Sequence, residues 1–111
     1  MHRNEYIDWM SERLQPLGNI RFRRMFGSWG LYCDGLFFAI ASDDVLYLKV
    51  DAISLPEFEA AGLAPFTYVK QDGRLQSMRY YPLPDSAIDD DAEFLLWAQK
   101  GLAAALRARK G

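Results

Sequence analysis

The stretch RMFGSWGLYCDG, which runs from residue 24 to residue 35, decides how the first half of the chain folds. Gly27 and Gly30 interrupt an apolar–polar alternation, and closely spaced glycines are typical of a bend or bulge. Asp34-Gly35 is the signal of a two-residue hairpin turn, since such a turn needs positive φ angles. We therefore predict a bend over Phe26–Gly30, with positive φ at its glycines, and then a tight hairpin. The residues to which we assign this structural role are Met25, Phe26, Gly27, Gly30, Asp34 and Gly35.

On both sides of this stretch, apolar residues recur with the period of two that is typical of strands. The predicted strands are Ile20–Met25, Leu31–Cys33, Leu36–Ala41, Val45–Val50, Phe66–Lys70 and Leu75–Tyr81, with Pro82-Leu83-Pro84 as an extended connector. Most of them are separated by short turn sequences, and strands joined by tight turns must be antiparallel.

Helical spacing of apolar residues appears near both ends of the chain and once in the middle. A first helix is predicted over Arg3–Leu17 and a short one over Ser54–Ala61, where Ser54 can act as N-cap and Gly62 as C-terminal stop. The last helix opens at Asp89 or Asp90 and runs to about Arg109. The expected fold is α+β: a single-domain antiparallel β-sheet of five to six strands, flanked by N- and C-terminal α-helices.

Length and composition exclude several classes of protein. The 111 residues are enough for one domain and too few for two. One cysteine excludes a disulfide scaffold, and with one histidine it excludes the usual His/Cys metal cluster within one chain. The 13 basic and 15 acidic residues give a net charge of −2, which does not favour DNA or an anionic membrane.

Nothing in the sequence resembles a targeting or membrane-spanning segment. The first 25 residues are rich in charge, and the longest apolar run, Leu36–Ala41, is far shorter than the roughly 20 residues that a membrane helix needs. An unpaired Cys33 is typical of a reducing compartment. We therefore expect a cytoplasmic protein without a membrane partner.

The residues that could carry catalysis lack the neighbours that catalysis needs. A lone Cys33 in a strand is more often a small buried apolar group than a nucleophile. Ser28 lies between glycines, but the sequence does not form a nucleophile elbow, and the histidine His2 is next to the N-terminus. The acidic residues from Asp85 to Glu93 precede or open a helix, where they complement its dipole. We expect no enzyme, no cofactor and no bound metal.

A cluster of three arginines and a nearby tryptophan is the candidate interaction surface: Arg21, Arg23, Arg24 and Trp29. If the strand alternates, Arg21 and Arg23 share a solvent-facing side, and Arg24 points inward with Phe22. Two interpretations stay open. The arginines can decorate a solvated strand whose aromatic neighbours form the core, or they can bind nucleic acid together with the basic C-terminus at Arg107, Arg109 and Lys110.

The stretch at residues 24–35 resembles the opening motif of the TfoX/Sxy N-terminal domain family, which typically reads R-M-F-G-G-x-G-L-Y-x-D-G. The likeness continues through LYLKV at 46–50, FEAAG at 58–62, PFTY at 65–68 and MRYYP at 78–82, and it ends in the helix around Trp97. It covers roughly residues 5 to 108. The chain departs from the pattern at Ser28, where a second glycine is expected.

The resemblance implies an antiparallel sheet flanked by helices, in the group of folds shared with bacterial secretion chaperones, and a bacterial source. Members of the family are regulators of natural competence that act with the cAMP receptor protein to switch on DNA-uptake genes. They usually carry a second, helical domain; residues 1–111 are expected to form a single TfoX N-terminal-like domain without the C-terminal TfoX domain. The family offers no catalytic residues. We expect a protein partner, either transcription machinery or the cAMP receptor protein, and weak or no direct DNA binding; a homodimer is left open.

Overall fold

The computed structural model describes residues 3–25 and 27–110. His2 and Phe26, which were singled out above, lie outside the described residues, as does the side chain of Lys110. The helices are α1 (Arg3–Leu14), α2 (Leu55–Ala60), α3 (Asp85–Ile88) and α4 (Asp91–Lys110), and Gln15–Leu17 form a 3₁₀ turn. The strands are β1 (Ile20–Met25), β2 (Ser28–Cys33), β3 (Leu36–Ser42), β4 (Val45–Lys49), β5 (Thr67–Val69), β6 (Leu75–Ser77) and β7 (Tyr80–Pro82).

The main sheet has five antiparallel strands in the order β1-β2-β3-β4-β7, and β5 and β6 form a separate two-stranded hairpin. The α+β class and the flanking terminal helices are therefore confirmed. Asp34 and Gly35 have φ angles of 50° and 85°, which confirms the predicted hairpin turn between β2 and β3.

One face of the sheet is covered by α4 and α1. The glycine of α4, Gly101, lets the helix approach so closely that an added Cβ would lie 3.1 Å from the Phe38 carbonyl oxygen and 3.2 Å from Leu48 Cβ. The largest side chains with no solvent exposure collect at this layer and around α2: Phe38, Phe58, Phe94, Leu14, Leu31, Leu48 and Cys33. The buried face of α4 includes Phe94, Ala98 and Ala105, whereas Leu106, on the apolar side that spacing predicts, is 42% exposed.

The predicted bend over Phe26–Gly30 is much shorter in the structure. Met25 pairs with Ser28, so the interruption shrinks to the two positions between them, and the predicted strand Leu31–Cys33 begins at Ser28 instead. Gly27 has the expected positive φ of 77°, but Gly30 does not. Gly30 is needed for space, because a Cβ there would lie 3.1 Å from both the Met25 sulfur and the Phe37 ring.

The segment predicted as one strand over Leu75–Tyr81 is split between two sheets. β6 ends at Ser77 beside β5, and β7 begins at Tyr80 beside β4, with the chain passing over at Met78. Pro82 closes β7 rather than starting a connector, which an edge position permits since proline has no N–H to donate.

Two helix ends differ from expectation, and the start of the last helix agrees with it. The α-helical part of the first helix stops at Leu14, and the chain continues as a 3₁₀ turn that contains Pro16. Ser54 does not cap α2 through its side chain; its hydroxyl bonds to Asp51 instead. Asp90 is the residue that caps α4, accepting the Glu93 N–H at 3.0 Å, and a short helix precedes it.

Candidate protein-interaction surface

The face of the sheet that points away from α1 and α4 is rich in aromatic side chains; we call it the outer face. Strand register and alternation place Gly30, Phe37, Ile40, Tyr47 and Tyr80 on it. The rings are in contact: Phe37 stacks on Tyr32 with centroids 5.1 Å apart and meets Tyr80 at 5.6 Å. Burial raises the pKa of Tyr80 to about 12, so its hydroxyl stays protonated at neutral pH.

The β5–β6 hairpin is anchored against part of this outer face. Phe66, directly before β5, packs its ring 4.9 Å from the Tyr47 ring. Its backbone N–H donates to the Tyr80 carbonyl at 2.7 Å, and its carbonyl accepts the Met78 N–H at 2.9 Å. These bonds fix the base of the hairpin to the edge of the main sheet, while β5 and β6 themselves are exposed throughout.

A groove of about 490 Å³ lies between the outer face and the hairpin. The sheet contributes Met25, Ser28, Phe37 and Ile40, and the hairpin side contributes Phe66, Tyr68, Val69, Lys70, Gln71 and Met78. Most of these side chains are apolar, with one lysine among them. Such a lining suits apolar side chains of a binding partner and offers little to a charged small molecule.

The hairpin also carries apolar side chains that the described chain leaves partly or largely exposed. Val69 is 65% exposed and its cross-strand neighbour Leu75 is 72% exposed, while Tyr68 is 43% exposed. A pair of exposed branched apolar residues beside an apolar groove is typical of an interaction site.

A second cavity, of about 440 Å³, lies where β2 begins and β3 ends, and it shares Ser28 with the groove. It is lined by Tyr6, Gly27, Ser28, Trp29, Ala41, Ser42, Asp43 and Asp44. The Ser28 and Ser42 hydroxyls bond to each other at 2.9 Å, which gives Ser28 a role in joining β2 to β3. The Tyr6 hydroxyl is buried there with no hydrogen bond to any described residue, and burial, with Asp44 nearby, raises its pKa.

The predicted surface of three arginines and Trp29 is divided between the two faces of the sheet. Arg21 and Arg23 lie on the outer face, opposite Tyr32 and Gly30 of β2. Arg24 shares the helix-covered side with Trp29, as alternation predicts, but it stays exposed at the end of β1. The Arg24 guanidinium carbon lies 5.2 Å from the Trp29 ring centroid, so the Trp29 ring is its partner. A buried Arg24 would have required a carboxylate partner, and the exposed side chain does not.

The groups considered above for catalysis or binding lie in environments that suit a structural role. Cys33 is fully buried, and burial, with Asp34 next to it, raises the pKa of its thiol. Arg107 of the basic C-terminus binds Asp51 with two hydrogen bonds, of 2.6 and 2.9 Å, and this pairing lowers the pKa of Asp51. Within residues 3–25 and 27–110, no group of three metal-ligating side chains converges.

The elements described above correspond to a known family. A family model described as the TfoX N-terminal domain matches residues 12–105, from the last turn of α1 to the last turns of α4. The chain belongs to the TfoX N-terminal domain family. The residues of the groove all fall inside the matched segment, as do Val69 and Leu75.

Two curated relatives are similar to this chain over most of its length. The chain is 32% identical over 98 residues to Protein Sxy of Escherichia coli strain K12, covering 88% of this chain and 46% of that protein. It is 30% identical over 88 residues to the DNA transformation protein TfoX of Haemophilus influenzae, covering 78% of this chain and 41% of that protein. The chain thus spans less than half the length of the relatives it matches. Neither relative is named for an enzymatic activity.

The length and composition of the helices bear on whether any of them could cross a membrane. In the part of the chain that the structure describes, no helix combines the length and the apolar character that crossing a bilayer requires.

Proposed function

We propose that this TfoX N-terminal domain is a non-enzymatic, cytoplasmic regulatory domain that works by binding another protein. The observation that carries the proposal is the groove between the outer face and the β5–β6 hairpin, with Val69 and Leu75 exposed beside it. Leaving such side chains in water is unfavourable by about 25 cal/mol per Å² of apolar area, and a protein partner removes that cost.

The chemistry of the groove defines the part of the partner that fits. Phe37, Ile40 and Met78 offer an apolar floor, and methionine adapts its shape to different side chains. Lys70 lines the same groove and favours an acidic residue beside the apolar ones. We infer a partner segment that presents apolar side chains next to a carboxylate.

The relatives supply the context in which such a partner is sought. One of them is named for DNA transformation. We propose that this chain acts as a transcriptional co-regulator of DNA-uptake genes, with the cAMP receptor protein or the transcription machinery as the partner. Direct contact with DNA is secondary in this proposal, because the net charge of −2 gives the chain no general attraction to phosphate.

The experiment measures binding of the purified chain to purified cAMP receptor protein by calorimetry, with cAMP and promoter DNA present or absent. The test variant is Val69→Asp combined with Leu75→Asp. The matched control is Ile53→Asp combined with Leu96→Asp, which adds the same charge at side chains that are 68% and 60% exposed and do not line the groove.

We expect the test variant to lose binding by at least about tenfold, equal to about 1.4 kcal/mol, while the control binds like the wild type. A reporter driven by a DNA-uptake promoter should be activated equally by the control and the wild type, and less by the test variant. Equal binding by both variants would place the interface elsewhere. Absence of binding to the cAMP receptor protein under all conditions would overturn it as the partner.

A further inference from the structure

The outer edge of β1 is an open strand edge. β1 is the first strand in the order β1-β2-β3-β4-β7, so β2 covers one of its sides and no strand of the described chain pairs with the other. The Asp34 N–H donates to the Asn19 carbonyl at 2.9 Å, as at a hydrogen-bonded position of the ladder, while the Asn19 N–H donates to the Asp34 carboxylate at 3.0 Å. Hydrogen-bonded pairs alternate along an antiparallel ladder, and the β1–β2 register is regular.

This alternation determines which backbone groups of β1 point to the open side. Arg21 and Arg23 exchange their backbone hydrogen bonds with β2, whereas Ile20, Phe22 and Arg24 direct their N–H and C=O groups to the open side. Unpaired groups of this kind are a template on which another extended chain can pair.

The side chains along the same edge carry one sign of charge. Arg21 and Arg23 lie on the outer face and Arg24 on the opposite side, all three exposed. Among the described residues, none of the three forms an ion pair; Arg24 contacts the Trp29 ring instead. A strand that added to β1 would bring its own side chains beside these guanidinium groups.

We propose that β1 is a docking edge for an extended, acidic segment of a partner protein, which joins the sheet by β-strand addition. The pattern of β1 specifies the segment. Alternate carboxylates would face Arg21 and Arg23 on the outer face, and the intervening apolar residues would lie beside Ile20 and Phe22. Cross-strand pairs of opposite charge and of apolar residues stabilise a sheet by about 0.2–1 kcal/mol each.

The charge of β1 also argues against two other occupants. A second copy paired antiparallel about Phe22 would set Arg21 of each chain opposite Arg23 of the other, and pairing about Arg23 would set that residue opposite itself. Like charges in these positions are destabilising. A nucleic acid strand would satisfy the arginines but would leave the outward C=O groups of β1 without donors from a peptide backbone.

The test uses the full chain and a short labelled peptide that alternates Glu and Val. Three probes accompany it: a Lys/Val peptide, a Glu/Val peptide with methylated amides on its pairing side, and a single-stranded DNA oligonucleotide. The protein variants are Arg21→Glu with Arg23→Glu, and the matched control Arg79→Glu with Arg109→Glu, which alters exposed arginines away from β1. Circular dichroism confirms that each variant is folded.

We expect the Glu/Val peptide to bind and to slow amide exchange at Ile20, Phe22 and Arg24. Amide methylation and the Arg21/Arg23 variant should each weaken binding by at least about tenfold, the variant should then prefer the Lys/Val peptide, and the control should bind normally. The proposal is overturned if methylation has no effect, if DNA competes as well as the peptide, or if no binding occurs. The groove variants at Val69 and Leu75 should leave this binding intact, so failure here and failure of the proposed function are separate results.

Discussion

Gly27 and Gly30 are two positions at which substitutions should destabilise the protein for different physical reasons. Gly27 has a φ of 77°, and among the described residues beyond its two chain neighbours no atom lies within 4 Å of the place its Cβ would occupy. Any cost there comes from the backbone alone, and the left-handed conformation costs an L-residue roughly 1–2 kcal/mol. We expect Gly27→Val to cost about 2 kcal/mol, since β-branching adds to the strain. Gly27→Asn should cost much less, because Asn tolerates this conformation.

Gly30 has no left-handed φ, but its surroundings are full. A Cβ would lie 3.1 Å from the Met25 sulfur and 3.1 Å from a carbon of the Phe37 ring. Gly30→Val should therefore cost about 1–3 kcal/mol through overpacking. Shortening the neighbour by Met25→Ala should recover part of this loss, and the same change should not alter the cost of Gly27→Val.

Urea unfolding of the single and double variants measures these costs. With a denaturant dependence of about 1–3 kcal/mol per M, a loss of 2 kcal/mol moves the midpoint by about 1 M. A double-mutant cycle should give a coupling of at least about 0.5 kcal/mol between positions 25 and 30 and none between 25 and 27. The reasoning is refuted if Gly27→Val and Gly27→Asn unfold together at the wild-type midpoint, or if the coupling at position 30 is absent.

The Cys33 thiol should react slowly with a maleimide in the native protein and quickly after unfolding, because it is buried and its pKa is raised; fast native labelling would contradict this. Stability should fall as the pH drops below about 4, since the Arg107 pairing lowers the pKa of Asp51 in the folded state and protonation removes that stabilisation. In urea unfolding at pH 7 and pH 3, Asp51→Asn should lose less stability on acidification than the wild type, and equal losses would refute the role of the pair. Gly101→Val should lower the midpoint of unfolding, by about 1–3 kcal/mol, because the Phe38 carbonyl 3.1 Å away cannot move aside; an unchanged midpoint would show that α4 can shift. Binding to duplex DNA at about 150 mM salt should be weaker than about 10⁻⁶ M, and sub-micromolar, sequence-dependent binding would contradict the proposed function.

The sequence was sufficient to predict the elements whose signals are local. The Asp34-Gly35 turn follows from the φ angles that only a few residue types accept, and the α4 cap near Asp90 follows from an acidic residue that precedes an apolar stripe. The two-residue period in β4 is also local, and in the structure it separates the buried Leu46 and Leu48 from the exposed Val45. Each of these features depends on residues close together in the chain.

The parts that sequence reasoning missed depend on contacts between distant residues. The division of Leu75–Tyr81 between two sheets arises because Tyr80 pairs with Lys49 of β4, and no local pattern reveals that pairing. The groove is formed by β1, β2, β3 and the hairpin together, so the sequence of any one of these elements does not predict it. The high exposure of Val69 and Leu75 was hidden for the same reason, because an apolar strand pattern predicts burial.

Hydrogen exchange of the chain with and without the cAMP receptor protein tests the central claim most directly. We expect the partner to slow exchange in the groove, at the backbone amides of Phe37, Ile40, Val69 and Met78, and to leave exchange in α4 unchanged. Protection confined to α4 or to the second cavity around Tyr6 and Ser42, or no protection at all, would contradict the claim that this domain regulates by binding a protein at the groove.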